Sequence, residues 1–208
     1  MNRIFSSAVK VAGSLAVVGG VVVAAAAPAG AAPLASAWGV SAIGPPITIA
    51  PVALAETGAT PGVSAGVVYP GLTTGGILDR AKPFQAYSQV GAVKVYGPQQ
   101  VDQLNASMVS STCRLSLFGG PPFGGATIQA GSIVASSVPF FPPIPLIRNP
   151  APNTVINLGP VTVTLNKQTF NGPVLTVTGI YITFPGQDLS IAVSRCGVPD
   201  VGPPNSNG

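Results

Sequence analysis

Catalysis and metal binding draw on a short list of side chains, and here that list is thin. The 208-residue chain contains no histidine. A Ser-His-Asp or Cys-His centre is therefore excluded, because no imidazole is present to carry a proton between nucleophile and leaving group near neutrality. Five carboxylates remain: Glu56, Asp79, Asp102, Asp188 and Asp200. They stand far apart with no Asp-x-Asp cluster, so no calcium-type oxygen cage is written into the sequence. Two of them would have to meet in space to form a glycosidase pair; their positions beside turns read instead as solvated turn residues. A Ser/Lys dyad would need Lys82, Lys94 or Lys167 desolvated beside a serine, and none of the three closes a Ser-x-x-Lys motif. Asn105-Ala-Ser107 fits a glycosylation sequon by pattern alone. The expectation is no catalytic residue, no metal and no cofactor.

Two cysteines, Cys113 and Cys196, complete the reactive inventory. In an oxidising compartment one disulfide is the economical reading. It would close a loop of roughly 80 residues, worth about 4 kcal/mol in the chain-entropy description. The alternative, a nucleophilic or metal-binding thiol, needs a histidine or a second ligand cluster that the chain lacks.

Charge narrows the field further. Only 7% of residues are charged, against about 25% in an average soluble domain. Arg3 and Lys10 lie in the N-terminal leader; the other seven basic residues against five acidic ones leave a net of +2. Arg80, Lys82, Lys94, Arg114, Arg148, Lys167 and Arg195 read as single, scattered charges. Nucleic-acid binding wants clustered Lys and Arg along one face, so no nucleic-acid partner is expected. Disorder is not expected either, since 47% of residues are apolar and Val, Ile, Leu and Thr dominate the second half.

Residues 1–37 follow the logic of an export signal, a helix-forming leader. Asn2, Arg3 and Lys10 give a positive start, Val11 to Ala27 is an uncharged apolar run, and small residues follow. Ala29-Gly30-Ala31 and Ala35-Ser36-Ala37 both fit the A-x-A rule, with cleavage after Ala31 or after Ala37. An uncleaved anchor is the competing reading, but 17 residues with two glycines in their middle are short for a stable span. No permanent membrane span is expected once the leader is gone, and the location expected is extracellular or at the cell wall.

The elements that must position any site read as strands throughout. Candidates are Trp38–Ile43, Ile47–Ala53, Ala86–Tyr96, Val101–Leu117, Ala126–Val138, Thr154–Leu158, Val161–Phe170, Val174–Phe184 and Leu189–Cys196. Gly66–Tyr69 and Gly76–Leu78 are weaker, and 55–66 reads as a loop. In Val101–Leu117, alternation puts Val109, Ser111, Cys113, Leu115 and Leu117 on one face. Asn171-Gly172 suits a tight hairpin turn, because both residues tolerate positive φ. Twenty-six glycines and 23 prolines supply many further turns. The expectation is all-β: one antiparallel β-sandwich, Greek-key-like, over residues 38–198, with an up-and-down barrel as second choice and 199–208 as a disordered polar tail.

One segment invites a binding role. The proline-rich connector 139–148 carries Phe140, Phe141, Ile144, Leu146 and Ile147. Prolines lower the entropy lost on docking, so such a loop would hold a partner cheaply if exposed. Folded back, the same side chains would cap the open end of the sandwich. Trp38 with Tyr69, Tyr87, Tyr96 and Tyr181 would make a sugar-stacking platform if they converged, or ordinary core and rim residues if they did not.

Asn149-Pro-Ala-Pro-Asn-Thr154, then Val161-Thr-Val-Thr-Leu-Asn-Lys-Gln168, an Asn-Gly turn and a closing Ser194-Arg-Cys196 resemble the choice-of-anchor P family of actinobacterial surface proteins. Ala37-Trp-Gly-Val-Ser-Ala42 and the Ser/Thr strand into Cys113 resemble the same family, so the likeness spans roughly residues 36–198. It implies a secreted β-rich ectodomain and no catalytic residue or cofactor. The chain departs from the pattern in having no LPxTG-like motif, terminal apolar helix or basic tail, which implies release or non-covalent retention at the wall. The function expected is a non-catalytic secreted or cell-surface structural or interaction protein with a cell-wall or extracellular partner. The alternative is an extracellular binding module for an apolar small molecule, lipid or glycan.

Overall fold

The computed structural model describes residues 35–45, 48–96, 102–135 and 142–197. The leader to residue 34, the tail from 198, and Phe140 and Phe141 of the connector lie outside the described residues. The chain divides into residues 1–31 and 32–208, and everything described below belongs to the second unit.

Every described regular element is a strand. In chain order they are β1 (Ala35–Ile43), β2 (Ile49–Val52), β3 (Ala55–Glu56), β4 (Gly62–Ser64), β5 (Val68–Tyr69), β6 (Leu72–Thr73), β7 (Ile77–Lys82) and β8 (Gln85–Tyr96). There follow β9 (Asp102–Arg114), β10 (Phe123–Ala135), β11 (Ile144–Pro145), β12 (Thr154–Leu158), β13 (Val161–Asn171), β14 (Val174–Phe184) and β15 (Gln187–Cys196). β1 opens three residues ahead of Trp38, and the segment 55–66 holds two short strands rather than a plain loop. β9 ends at Arg114, so Leu115 is half-buried and Leu117 exposed instead of continuing the inward face.

The strands form two antiparallel sheets packed face to face, a β-sandwich. Sheet A runs β12-β13-β14-β15-β1-β2, with β3 also on β1; sheet B runs β11-β10-β9-β8-β6-β5, with β7 on β8 and β4 on β7. The middle of the chain builds sheet B, and its two ends build sheet A. β1 and β15 pair from Ala35↔Cys196 to Ile43↔Asp188.

A second regularity crosses the strands. In a flat strand inward residues recur every two positions, yet in all seven long strands the inward set slips once by three. Ala37 gives way to Val40, Val90 to Val93, Ala106 to Val109, Ile128 to Gly131, Leu165 to Gln168, Val177 to Ile180 and Ile191 to Ser194. The ladders skip at these points. The skipped residues line up as Gly39, Ala192, Gly179 and Asn166 in sheet A, and Ala92, Ser107 and Ala130 in sheet B. Ala92, Ala130, Asn166 and Ala192 hold positive φ there, and the pairing register is the same on both sides of each skip, so partner strands kink together with no extra residue on either. Along these lines the sheets come close: a Cβ on Gly39 would collide with Ile77, and one on Gly179 would lie 2.5 Å from Val109 Cγ1.

The buried apolar residues form two clusters. In the larger, Val, Ile and Leu fill the space, with Val40, Val90, Val109, Ile128, Leu165 and Ile191 fully buried. The smaller comprises Ala35, Ala37, Ala86, Leu175 and Val177 around Cys113 and Cys196. The cysteines are bonded, join β9 of sheet B to β15 of sheet A, and have Cα atoms 5.8 Å apart. Packed sheets ordinarily stand about 10 Å apart, so the sandwich is pinched here. Small partners make that close approach feasible: Ala86 and Gly124 flank Cys113, and Ala35 lies beside Cys196.

Because the bond spans a sequence separation of 83, a Cys113→Ala, Cys196→Ala chain should lose about 4 kcal/mol of stability. Urea unfolding of the oxidised and the cysteine-free protein measures it.

Candidate functional site

The connector is docked, not free. Leu146 is buried in the main core and donates its N–H to the Gly131 carbonyl at 2.8 Å. Ile144, in β11, is half-buried against the same core, while Ile147 is 53% exposed. Ile128 N–H bonds the Arg148 carbonyl at 2.8 Å. Of the candidate loop, Ile147 alone among the described apolar residues faces outward; Phe140 and Phe141 lie outside the described residues.

Beyond the connector, the two motifs that carry the family resemblance hold each other. Asn166 Nδ2 donates to the Pro150 carbonyl at 2.9 Å, and the Asn166 carbonyl accepts from Asn153 N–H at 2.9 Å. Gln168 closes the clasp: its N–H reaches Asn153 Oδ1 at 2.9 Å, and Nε2 reaches Gly124 O at 3.1 Å and Asn166 Oδ1 at 3.2 Å. Asn153 and Asn166 both hold positive φ, which asparagine tolerates better than most residues. The clasp fixes the crossover from sheet B to sheet A. Its polar atoms are spent internally, so it serves the fold.

The aromatic side chains do not converge on one platform. Trp38 lies on the outer face of sheet A, its indole N–H on Ser41 Oγ at 3.1 Å. Tyr181 shares that face beneath Lys167, whose Nζ sits 3.1 Å from the ring centroid. Burial lowers the Lys167 pKa, opposed by Asp188; burial also raises that of Tyr181, helped by Asp188. Lys167 is thus placed against an aromatic ring and a carboxylate, away from the Ser/Lys geometry. Tyr87 lies on the outer face of sheet B, hydrogen-bonded to Gln89, and Tyr69 is in β5 at that sheet's edge.

At the end opposite the disulfide, Val95, Leu104, Ile133, Val161, Ile182 and Phe184 line an apolar cleft. The cleft is open to solvent, and its volume of about 20 Å³ is room for about one water molecule.

The carboxylates give the clearest departure from the sequence reading. Asp102's side chain and Asp200 lie outside the described residues. Glu56 and Asp188 are half-buried on separate strand rows. Asp79, expected to be solvated, is 0% exposed. It points between the sheets from β7, in a row with Ser88 and Ser111. Ser194, buried on sheet A, belongs to the same polar layer between the two apolar clusters. Ser88 Oγ and the Gly39 amide are the nearest polar groups to the carboxyl, but neither makes a well-formed hydrogen bond with it. Ser88 sends its hydroxyl proton across to the Trp38 carbonyl at 3.0 Å. Desolvation carries the Asp79 pKa from 3.8 to about 7, against the weaker opposing pull of Ser88 and Gly39. A carboxyl beside serines resembles the parts of a catalytic site, yet Asp79, Ser88, Ser111 and Ser194 are at most 1% exposed. No substrate reaches them in this conformation. The signal missed in the sequence was the row itself, since Asp79, Ser88 and Ser111 meet only through strand register.

Register also corrects the picture of scattered basic charge. The row Lys82–Gln85–Arg114–Phe123 and the next, Arg80–Tyr87–Thr112–Gly125, lie on the outer face of sheet B. They put Arg80, Lys82 and Arg114 together at the disulfide end. Arg195 lies at the same end on sheet A, one row position from Ser36. Around them Phe84, Leu117, Phe118, Phe123 and Phe170 are exposed.

Comparison with protein-family models, with curated proteins and with solved structures finds no match to this chain.

Two outcomes follow from the buried polar groups. The folded Asp79 holds a proton that the unfolded chain releases above pH 3.8, so stability should fall as pH rises from about 4 to about 7. The ceiling is on the order of 4 kcal/mol, and Asp79→Asn should flatten the profile of urea midpoint against pH. Asn166→Ala should cost about 1–3 kcal/mol, the range for leaving buried hydrogen-bond partners unsatisfied. It should also speed hydrogen exchange across residues 149–154.

Proposed function

We propose that this chain is a non-catalytic protein of the cell exterior, exported by its leader, that works by presenting surface to a partner. The observation that carries the reading is the buried bond between Cys113 and Cys196, a covalent closure that persists in an oxidising compartment. The likeness of 149–168 and 194–196 to choice-of-anchor P surface proteins supports the same location. The sealed polar layer and the one-water cleft favour surface contact over substrate turnover.

The second reading, a binding module for an apolar or amphiphilic ligand, draws on the exposed phenylalanines at the disulfide end. In that case contact is made on a surface and not in a hollow.

Cell fractionation and N-terminal sequencing test the proposal together. Ala35, Ser36 and Ala37 are paired with Cys196, Arg195 and Ser194, so cleavage after Ala37 would delete the start of β1. The mature chain should therefore begin at Ala32, lie outside the cytoplasm and contain no titratable thiol. A full-length chain confined to the cytoplasm with two free thiols would overturn the reading.

A further inference from the structure

Every exposed phenylalanine among the described residues sits at one end of the sandwich. Phe84 is in the β7–β8 turn, Phe118 in the β9–β10 connection beside Leu117, Phe123 opens β10, and Phe170 stands near the end of β13. Phe118 is 98% exposed and Leu117 71%. Phe84 and Phe118 occupy turns, so they project from the fold instead of lining a hollow. Beneath them the disulfide and its small neighbours pin both sheets, giving the loops a stiff base.

Charge at this end has one dominant sign. Arg80, Lys82, Arg114 and Arg195 are all exposed, and the one described carboxylate on these outer rows is Glu56, half-buried opposite Ser36. Lys82 and Arg114 stand two strands apart, about 10 Å, the spacing of separate headgroups and not of one bidentate anion. Projecting Phe and Leu over a collar of Lys and Arg is the pattern that seats a protein on an anionic bilayer. The apolar tips enter the acyl boundary and the cations remain among the headgroups.

We propose that the disulfide end is a membrane-contact surface that docks on anionic phospholipid through Leu117 and Phe118, with Arg80, Lys82, Arg114 and Arg195 around them. This deepens the surface-contact reading above and rests on it for its biological setting, but its test is independent of where the cell puts the protein.

Trp38 is the single native tryptophan, so the mature chain from Ala32 carrying Trp38→Phe and Phe118→Trp reports on position 118 alone. With vesicles of mixed phosphatidylcholine and phosphatidylglycerol its emission should shift to the blue, and added salt should weaken the effect. With phosphatidylcholine alone the shift should be small. In the native background Phe118→Ser should weaken vesicle binding about tenfold or more. Lys82→Gln and Arg114→Gln should each weaken it about fivefold. These side chains are exposed, so an unchanged thermal melt confirms that each variant is folded. Emission at 118 that ignores anionic vesicles overturns the proposal, as does equal binding to neutral ones. Concentration-dependent dimerisation abolished by Phe118→Ser, without vesicle binding, would overturn it too and assign the tip to a second copy. Vesicle binding by a chain found only in the cytoplasm would refute export and leave this surface standing.

Discussion

Two sheets whose ordinary separation is about 10 Å are drawn together until the Cα atoms of Cys113 and Cys196 lie 5.8 Å apart. Much of the molecule is arranged around that pinch. Small residues, Ala35, Ala37, Ala86 and Gly124, surround it together with Leu175 and Val177, and most of the larger apolar side chains belong to the other cluster. In each long strand the inward-facing set shifts by one residue with no change of pairing register. Glycine at 39 and 179 admits Ile77 and Val109 where the sheets come close.

Between the two clusters lies the polar layer, and its energetics run against the core around it. A buried carboxyl without a firm donor is costly when ionised. When protonated, its own hydrogen is available to Ser88, whose hydroxyl already reaches Trp38 on the opposite sheet. The neutral form therefore extends a link between sheets that the charged form cannot. Asp79 and its serine neighbours are buried inside, while the exposed phenylalanines among the described residues lie at one outer end.

Much of this was readable from the residues and some was not, for definable reasons. Strands β12 to β15 were legible nearly to the residue, because their Val/Thr alternation is long and the turns at Asn171-Gly172 and Pro185-Gly186 are strongly marked. The cysteine pairing was legible by elimination. The lines of skipped pairs were not, since a single-residue slip in a Val/Ser/Ala strand leaves no compositional trace. Asp79 was misread because Ile77–Lys82 is short and polar, and its burial comes from β1 and β8 packing over it. Arg80 and Arg114 looked isolated because 34 positions separate them in the chain, whereas β8 is all that lies between their strands. The proline-rich connector left two readings open, and its described portion took the folded-back one through Leu146.

The placement of β1 bears on the order in which the molecule is assembled. Its neighbours in sheet A are β2 and β3, made early, and β15, made last. Sheet B, drawn wholly from the middle of the chain, has all its strands once residue 145 has been synthesised. The first strand must wait for β15, so sheet A is completed only after residue 196 has been made. Until β15 arrives, one edge of β1 is without its partner, and contacts between residues 35 and 196 place the slowest, highest-contact-order step at the end of folding.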